Sequence, residues 1–563
     1  MARTISIGAQ GFEDIRENGY FYVDKTGFVR DWWLGGDSVT LVCRPRRFGK
    51  TLNLDTVRCF LSTDLAGRGE ELFGGLEVWA DPAMRALQGT VPVVALSFAD
   101  VKAKDLPGML KGVREVIAAA FDAHDHLRSW DGLTRNERIR LDEVRPDMDA
   151  TTCARAVGFL CGLLHRYHGV APVVLLDEYD APMECAWTGG FWDEASDFMR
   201  QLMNSTFKTN PALGRGLITG VTRVSRESIF SDLNNLVVVT SSTPLYQTSF
   251  GFSQGEVDAA LAEYGLSSKR EMVREWYDGF TFGGIGHVYN PWSLTQYLQF
   301  AEFRAYWANT SGNGLVSEVV RRGGARLKAD FEELMRGGEV AKVIDEQVVF
   351  SELATRPDAA WALLFAAGYV TSPGPVPEFP EDEPRRLRLT NREVEISFDR
   401  MAQGWFADAE DDLDDLARAL LMGDVRTATR RLAEVTLYCM SSFDGARRPA
   451  EREPERFYHG LVLGLLASLR GRWSVESNRE SGFGRYDVAL VPADGAAGTD
   501  PAVVMEFKVF DPDEEETLAD TVARARRQIE ERRYAAGLVG RGIAEERIRT
   551  YGVAFRGKEV LVG

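Results

Sequence analysis

The segment VTLVCRPRRFGKTLNLDTVRCFL, Val39 to Leu61, decides the fold of the N-terminal half of the chain. It begins with a short apolar run typical of a buried strand, continues with a loop that ends in Gly-Lys-Thr, and passes directly into a helical pattern. Strand, loop and helix in this order form a cradle for nucleotide phosphates, because the loop N–H groups and the helix N-terminus point at the anion. The segment predicts a phosphate loop in an α/β domain with a parallel sheet.

The predicted nucleotide contacts lie in the loop itself, at Arg46, Arg47, Phe48, Gly49, Lys50 and Thr51. Lys50 is expected to reach the β- and γ-phosphate oxygens of ATP, and the Thr51 hydroxyl to ligate Mg²⁺. The usual first glycine of such loops would stand at position 44, where this chain has Arg44, and Pro45 removes one further amide donor. A lone Gly-Lys-Thr tripeptide is common by chance, so the prediction needs a partner motif.

The partner motif is an apolar run, Ala171–Leu176, that ends in Asp177 and Glu178. Two carboxylates next to each other at the C-terminal end of a buried strand are costly unless they bind a cation or take part in catalysis. In nucleotide hydrolases the first holds Mg²⁺ and the second polarises the attacking water. The alternative, a helix cap by Asp177, explains one acid but not its combination with a phosphate loop. We therefore expect an ATP-binding and ATP-hydrolysing domain.

A third segment, ITGVTRVSRESIFSDLNNL, begins within an apolar run at Gly216–Thr219. Thr219 at the end of this run is placed to sense the γ-phosphate. Arg223 or Arg226 could stabilise charge in the transition state, either within the chain or in a neighbouring subunit of a homo-oligomer. Each arginine could equally be an ordinary surface residue.

Near the C-terminus, Asp487 precedes one strand pattern, and Glu506 and Lys508 belong to the next. Strand side chains alternate between faces, so Glu506 and Lys508 project to the same side. Acid, acid and lysine in this order are typical of a metal-dependent phosphodiesterase. Asp487, Glu506 and the carbonyl of Phe507 would bind Mg²⁺, while Lys508 orients the attacking water. The alternative is an edge-strand ion pair between Glu506 and Lys508.

A basic helix follows these strands and gives the chain a local surface for nucleic acid. Acidic residues outnumber basic ones 84 to 66, and the formal net charge of −18 excludes binding by bulk positive charge. The helical pattern from Leu518 to Tyr534 contains Arg524, Arg526 and Arg527. These arginines predict contacts to a nucleic-acid backbone. They do not distinguish DNA from RNA, and DNA is the partner that we expect.

At 563 residues the chain is about three to four times a typical ~150-residue domain. We predict four parts: a phosphate-loop core at 1–240, a helical lid at 241–310, a winged-helix-like connector at 311–400 and a C-terminal α/β domain at 401–563. The longest apolar stretch, Gly460 to Leu469, is about half the ~20 residues of a membrane-spanning helix, and the N-terminus lacks the apolar core of a signal peptide. A soluble cytoplasmic protein without membrane contact is expected.

The connector and the C-terminal domain are predicted from shorter patterns. In the connector, the apolar stretch Trp361–Val370 precedes two strand-like runs, Leu387–Thr390 and Val394–Ser397. In the C-terminal domain, strands are predicted at Tyr486–Val491 and Ala502–Val509, ahead of the basic helix and a final strand.

Several motifs together resemble a known family. The N-terminal half is similar to the predicted AAA-ATPase-like family of bacterial proteins, in the motifs YVDKT (Tyr22 to Thr26), RPRRFGKT, LLDEYDAP, TGVTRVS and IFSDLNNL. The C-terminal part resembles the PD-(D/E)XK nuclease domain usually fused to that ATPase, in FYHGLVLGLL, SNRESGFGRYD and MEFKV.

The resemblance carries its own implications. It implies an AAA-like core, a restriction-endonuclease-like C-terminal fold, and a phosphate loop that has arginine at position 44 as a family feature. It adds Glu455 as a further metal or water ligand and Gln528 as a phosphate contact. It also suggests a role in mobile elements or in defence against foreign DNA.

Two hypotheses about function remain. The first is an ATP-regulated, Mg²⁺-dependent nuclease. The second is an ATP-dependent switch or scaffold whose degenerate nuclease fold binds nucleic acid or a protein partner without cleaving. The complete set of Asp487, Glu506 and Lys508 favours the enzyme.

Overall fold

The structure is a computed structural model that describes residues 2–222, 229–230, 233–307, 325–335, 337–346, 359–379, 382–404, 410–439, 473–477, 480–481, 484–493, 498, 500–512, 514–556 and 559–563. The chain divides into two compact units. The first contains Met1–Arg322 and Gly337–Glu395, and the second contains Gly323–Arg336 and Ile396–Gly563.

The core of the first unit is a five-stranded sheet in which every pair of neighbours is parallel. Its strands are β1 (Val39–Cys43), β2 (Val93–Ser97), β3 (Val173–Asp177), β4 (Arg215–Gly220) and β5 (Leu236–Val239). They lie in the order β2-β3-β4-β1-β5. Strands β1 and β3 are buried along their whole length, as expected for a parallel sheet covered on both faces, and this explains their continuous apolar sequences. The predicted parallel α/β core is confirmed.

Helices pack against this sheet. Several begin at a side-chain cap: Asp149, for example, accepts hydrogen bonds from the N–H groups of Thr151 and Thr152 at 2.8 and 3.0 Å. The helices of the first unit are Phe12–Glu17, Gly27–Gly35, Lys50–Leu61, Gly69–Phe73, Pro82–Leu87, Leu106–Asp122, Arg135–Glu143, Ala150–His168, Ala181–Gly189, Trp192–Met203, Gln254–Glu263, Arg270–Tyr277, Pro291–Phe300 and Ala359–Ala366.

The predicted lid region contains a small antiparallel sheet besides its helices. Strands β6 (Phe252–Ser253), β7 (Phe280–Phe282) and β8 (Ile285–Tyr289) lie in the order β6-β8-β7. Gly279 leads into β7 with a φ of 123°, and a Cβ at this position would lie 1.9 Å from the carbonyl oxygen of Thr390. Only glycine permits this close approach of two backbones.

The connector region has a second antiparallel sheet, formed by β9 (Val340–Lys342), β10 (Val370–Thr371) and β11 (Arg385–Leu389) in the order β10-β11-β9. Strand β11 matches one of the two predicted runs. The strand predicted at Val394–Ser397 is wrong, because these residues lie in the helix Arg392–Gly404. The side chain of Asn391 accepts a hydrogen bond from the Val394 N–H at 3.1 Å and so caps the helix, which outweighs the β-propensity of the short apolar run.

The second unit is built on a five-stranded mixed sheet. Its strands are β12 (Trp473–Ser477), β15 (Val488–Pro492), β16 (Ala502–Val509), β17 (Ile548–Arg556) and β18 (Glu559–Val562), in the order β12-β15-β16-β17-β18. Only the β16–β17 pair is parallel. A separate hairpin joins β13 (Glu480–Ser481) to β14 (Gly484–Arg485).

Helices cover both faces of this mixed sheet, as the alternation of side chains requires. Val488 and Leu490 pack in one apolar cluster with residues of Glu410–Met422 and Val425–Cys439. Ala489 and Val491 pack in another cluster with Ile529 of the basic helix. The helices of this unit are Ala325–Met335, Glu410–Met422, Val425–Cys439, Leu518–Arg532 and Ala536–Val539.

The structure thus has the multidomain α/β architecture that the sequence predicts. The limits of the four predicted parts stay predictions. Among the described helices, none has both the length and the apolar character needed to cross a bilayer.

Candidate functional site

The phosphate loop joins the end of β1 to the helix that begins at Lys50. Positive φ angles at Arg47 (65°) and Gly49 (79°) turn the backbone sharply before the helix. The buried Lys50 ammonium donates hydrogen bonds to the carbonyl oxygens of Arg44 and Pro45 at 3.0 and 2.9 Å. Burial lowers the pKa of Lys50, while the nearby charges of Glu178, Asp177 and Asp180 act in the opposite direction. The ammonium group of Lys50 is therefore bound by backbone carbonyls of the phosphate loop itself.

The ends of β3 and β4 meet the start of the helix Lys50–Leu61 beside this loop. Asp177, at the end of β3, accepts hydrogen bonds from the hydroxyls of Thr51 and Thr219 at 2.6 and 2.5 Å. Asp177 is 4% exposed, and the two hydroxyls supply the hydrogen bonds that a buried polar group requires. Hydroxyl and carboxylate oxygens are the ligands that Mg²⁺ prefers, and the residues present fit a Mg²⁺–nucleotide complex.

Glu178 lies next to Asp177 in a strained backbone conformation with a φ of 48°. Its half-buried side chain lines a cavity of about 750 Å³ together with Lys50 and Thr51. Burial raises the pKa of Glu178, an effect that the charge of Lys50 opposes. A carboxylate in this position is suited to accept a proton from water.

Sequence reasoning missed the role of Asp180, although the sequence DEYD placed a third acid in the motif. Asp180 is buried and accepts hydrogen bonds from the N–H groups of Val221 and Thr222 at 2.8 and 3.0 Å. The hydroxyl of Tyr179 donates to the Thr222 carbonyl at 2.8 Å. These contacts fix the segment that follows Thr219. The predicted Arg223 and its alternative Arg226 lie outside the described residues.

The N-terminal segment and the lid also line the cavity, which sequence reasoning did not anticipate. Residues 5–10 and 21–23 contribute to its wall, as do Pro291 and Trp292 of the lid. Lys25 of the YVDKT motif is fixed to the lid, because its ammonium contacts the Glu256 carboxylate at 2.7 Å and the Thr248 carbonyl at 2.8 Å. The cavity volume lies in the ~300–1,000 Å³ range of small-molecule sites.

Arg44 replaces the usual first glycine without projecting into the cavity. It is fully buried and donates to the carbonyl oxygens of Cys43 and Thr240 at 2.9 and 2.7 Å. Its guanidinium lies 4.4 Å from the ring centre of Phe282. Burial lowers the pKa of Arg44 to about 10. The side chain therefore fastens the phosphate loop to the segment after β5.

The other predicted loop residues, Arg46, Arg47 and Phe48, line the cavity, and Arg47 and Phe48 also contact the lid. Arg46 and Arg47 both line the cavity, and the Arg47 guanidinium lies 4.6 Å from the ring centre of Trp292. Phe48 is buried, and its ring packs against Phe280 and Phe282 with centroid distances of 4.7 and 5.5 Å.

The candidate nuclease site lies where β15 and β16 run side by side. Val488 pairs with Met505, so Asp487 and Glu506 are the next residues along the two strands. The Asp487 carboxylate accepts the Phe507 N–H at 2.8 Å. Lys508 donates to Glu506 at 3.1 Å, which is the ion pair of the alternative interpretation. However, β16 is flanked by β15 and β17 and is not an edge strand.

Gln528 brings the basic helix to this site. Its side-chain amide donates to Glu506 and also to the Tyr534 hydroxyl, the latter at 3.1 Å. Glu506 is 2% exposed. Its carboxylate is bound by Lys508 of the same strand and by Gln528 of the basic helix. Sequence reasoning placed Gln528 at a phosphate, whereas the structure places its amide on the buried carboxylate.

The oxygen donors of Asp487, Glu506 and the Phe507 carbonyl fit a Mg²⁺ ion, which keeps several water ligands in protein sites. Within the described parts of the chain, no group of three or more His, Cys, Asp or Glu side chains could hold a metal. The predicted set needs only two such side chains. Glu455, the further ligand implied by the resemblance, lies outside the described residues.

The arginines of the basic helix have different surroundings. Arg526 and Arg527 are exposed, as contacts to a nucleic-acid backbone require. Arg524 instead pairs with Glu515 at 2.9 Å and donates to the Val509 carbonyl at 2.9 Å. It ties the helix to the end of β16.

Comparisons with known proteins agree with this arrangement. A family model described as predicted AAA-ATPase matches residues 6–230, and a model of the PD-(D/E)XK nuclease superfamily matches residues 453–563. An uncharacterized protein in the vnfD 5' region of Azotobacter chroococcum mcd 1 is 30% identical over 400 residues, which cover 70% of this chain and 69% of that protein. The chain thus belongs to the predicted AAA-ATPase family and carries a PD-(D/E)XK nuclease-type domain at its C-terminal end.

Proposed function

We propose that the protein is an ATP-hydrolysing, Mg²⁺-dependent nuclease that cleaves phosphodiester bonds of DNA. The observation that carries the proposal is the pairing of Asp487 and Glu506 on neighbouring strands, with Lys508 in contact with Glu506. The hydrogen bonds of Thr51 and Thr219 to Asp177 support an ATPase in the same chain.

In the first unit, the loop amides and Lys50 would bind the phosphates, and Thr51 and Asp177 would hold Mg²⁺. The bound ion would supply positive charge to the phosphate oxygens. Glu178 would polarise the attacking water, since its half-buried carboxylate lines the cavity. Thr219 would sense the γ-phosphate through its contact with Asp177.

In the second unit, Asp487, Glu506 and the Phe507 carbonyl would hold Mg²⁺, which lowers the pKa of a bound water. Lys508 would orient that water toward the phosphate. Gln528 would keep Glu506 in place through its hydrogen bond. The exposed Arg526 and Arg527 would contact the DNA backbone, since the chain as a whole is acidic.

The proposal includes a biological setting. The protein would act in the cytoplasm, in defence against foreign DNA or in mobile elements, and ATP turnover in the first unit would regulate cleavage by the second. A homo-oligomer would allow an arginine from a neighbouring subunit to complete the ATPase site.

A cleavage assay tests the proposal. The full chain is incubated with plasmid and single-stranded DNA and with RNA, each with and without Mg²⁺ and ATP. We expect DNA cleavage that needs Mg²⁺ and disappears in Asp487→Ala and Lys508→Ala. Glu530→Ala, which removes an exposed carboxylate from the basic helix, is the matched control and should cleave normally.

Two outcomes contradict the proposal. Cleavage by Asp487→Ala at the wild-type rate would exclude the candidate nuclease site. Binding of ATP and nucleic acid without cleavage under any condition would establish the switch or scaffold instead.

A further inference from the structure

An ion pair lies at the phosphate loop, between Arg46 and Glu184. The guanidinium Nη2 of Arg46 and the Oε2 of Glu184 are 2.5 Å apart. Glu184 belongs to the helix Ala181–Gly189, which follows the acidic end of β3. Both side chains line the same cavity as Lys50. A cation of the phosphate loop is thus bound to a carboxylate in the place where phosphate oxygens are expected.

The backbone of Arg46 is fixed while its side chain faces the cavity. The Arg46 carbonyl accepts hydrogen bonds from the side chains of Asn290 at 3.3 Å and Trp307 at 3.1 Å. Asn290 is itself buried and caps the helix Pro291–Phe300 through the N–H of Trp292. A change of partner by Arg46 therefore needs only rotation of its side chain.

Glu184 differs from the acids around it in its partner. Asp177 accepts from two hydroxyls and Asp180 from two backbone N–H groups. Glu184 is bound by Arg46, whose side chain faces the cavity. Burial raises the pKa of Glu184 to about 7, and the charges of Asp180 and Glu178 act in the same direction, whereas Arg46 opposes them.

A guanidinium binds carboxylate and phosphate oxygens in the same geometry. We propose that Glu184 is a positioning residue that holds the Arg46 guanidinium in competition with the phosphates of ATP and releases it to them when ATP binds. This inference rests on the proposed ATPase function and adds a step to it. Glu184 is not a catalytic residue, because its effect on ATP passes through Arg46.

The test is an equilibrium titration of the full chain with a fluorescent ATP analogue in the presence of Mg²⁺. Glu184→Gln removes the competing charge and keeps the size of the side chain. We expect it to bind the analogue about fivefold more tightly than the wild type, at the lower end of typical coupling free energies between sites. Glu115→Gln, an exposed carboxylate on the helix Leu106–Asp122, removes the same charge elsewhere and should bind as the wild type does.

A double-mutant cycle separates this exchange from simple repulsion between Glu184 and phosphate. Arg46→Gln should weaken binding, and adding Glu184→Gln to it should change nothing further, because no guanidinium remains to be released. If Glu184→Gln tightens binding equally in both backgrounds, repulsion explains the effect and the proposal is wrong. Unchanged or weaker binding by Glu184→Gln alone also overturns it.

Two further variants keep the test decisive. If Glu184→Gln loses its cooperative thermal transition, Glu184→Asp replaces it, since this change keeps the charge but withdraws it from Arg46. It should also bind the analogue more tightly than the wild type, and unchanged or weaker binding would contradict the proposal. Lys50→Ala tests the underlying function. If the wild type binds no better than Lys50→Ala, the proposed ATP site is wrong, whereas failure of the Glu184 variants alone refutes only the exchange of partners.

Discussion

The two candidate sites of this protein are assembled in different ways. The nucleotide site joins residues that are far apart in sequence: Thr51 and Asp177 are separated by 126 positions, and Asp177 and Thr219 by 42. The nuclease site is local, since Asp487 and Phe507 are separated by 20 positions and Glu506 and Gln528 by 22. The first site depends on the correct order of parallel strands, while the second depends on the register of one antiparallel pair.

This difference determines how each site responds to a substitution. Asp177 accepts hydrogen bonds from Thr51 at the start of a helix and from Thr219 near the end of β4, so a change there disturbs contacts between distant segments. Glu506 and Lys508 share one strand, and the register of β15 with β16 is formed by backbone pairs such as Val488 with Met505, so we expect a change of either side chain to keep this pairing. We therefore expect substitutions in the nuclease site to abolish cleavage while the domain stays folded. Substitutions at Asp177 should also disturb the fold around the nucleotide site.

The largest expected effect is on cleavage. Asp487→Ala should reduce the cleavage rate by about 10³-fold or more, because it removes a proposed metal ligand. The affinity for DNA should stay the same or rise, because a repelling charge has gone. Cleavage rates, Mg²⁺ titrations and DNA binding, measured on one preparation, check this. Lys508→Ala should also abolish cleavage but keep Mg²⁺ binding, and parallel loss of both in the two variants would contradict the separate roles.

The next effect separates binding from hydrolysis in the nucleotide site. Glu178→Gln should lower ATP turnover by about 10²- to 10⁴-fold, the usual contribution of a general base, with nucleotide affinity retained. Lys50→Ala should lower affinity itself, by about tenfold or more, because it removes a charge-assisted contact to phosphate. Phosphate release and equilibrium binding measure the two quantities. Equal affinity in Lys50→Ala and the wild type would contradict the assignment of the loop.

A third prediction concerns the stability of the first unit and the residue Arg44, which stands where other phosphate loops have their first glycine. Arg44→Gly restores the common first glycine but removes a buried side chain that donates to Cys43 and Thr240. We expect the free energy of unfolding of the first unit to fall by about 3 kcal/mol, because several carbonyl groups lose their donor. Thermal and urea unfolding check this. A gain in ATP turnover with unchanged stability would show that Arg44 restricts the cradle instead of supporting it.

Much of this fold could be predicted because its central strands are continuous apolar runs. Val39–Cys43 and Val173–Asp177 are buried along their length, and that environment leaves a plain signal in the sequence. The sequence predicts a strand at Val394–Ser397, where the structure has the helix Arg392–Gly404. Four residues are too few to distinguish the period of a helix from that of a strand. The contact that decides for the helix is the cap by the side chain of Asn391.

The acidic residues of the candidate sites could be predicted from the sequence. The contacts that hold the surrounding side chains in place could not. Asp177, Asp487 and Glu506 stand at strand ends or alternate along a strand, which sequence spacing reveals. The direction of the Arg44 side chain, its contact with the Thr240 carbonyl and the pairing of Arg46 with Glu184 depend on tertiary packing. No local pattern encodes which of several carbonyls or carboxylates an arginine will reach.

The smallest expected effect concerns the exposed part of the nuclease unit. Arg526 and Arg527 are proposed as contacts to the DNA backbone, so replacing each with Gln should weaken binding similarly for all sequences. Each lost contact should reduce the slope of log affinity against log salt concentration by roughly 0.7–0.9. Arg541→Gln is the matched control, because Arg541 lies outside the basic helix and is paired with Glu476 at 3.0 Å. If the slope is the same in all variants, the basic helix is only a solvated surface and DNA binds elsewhere.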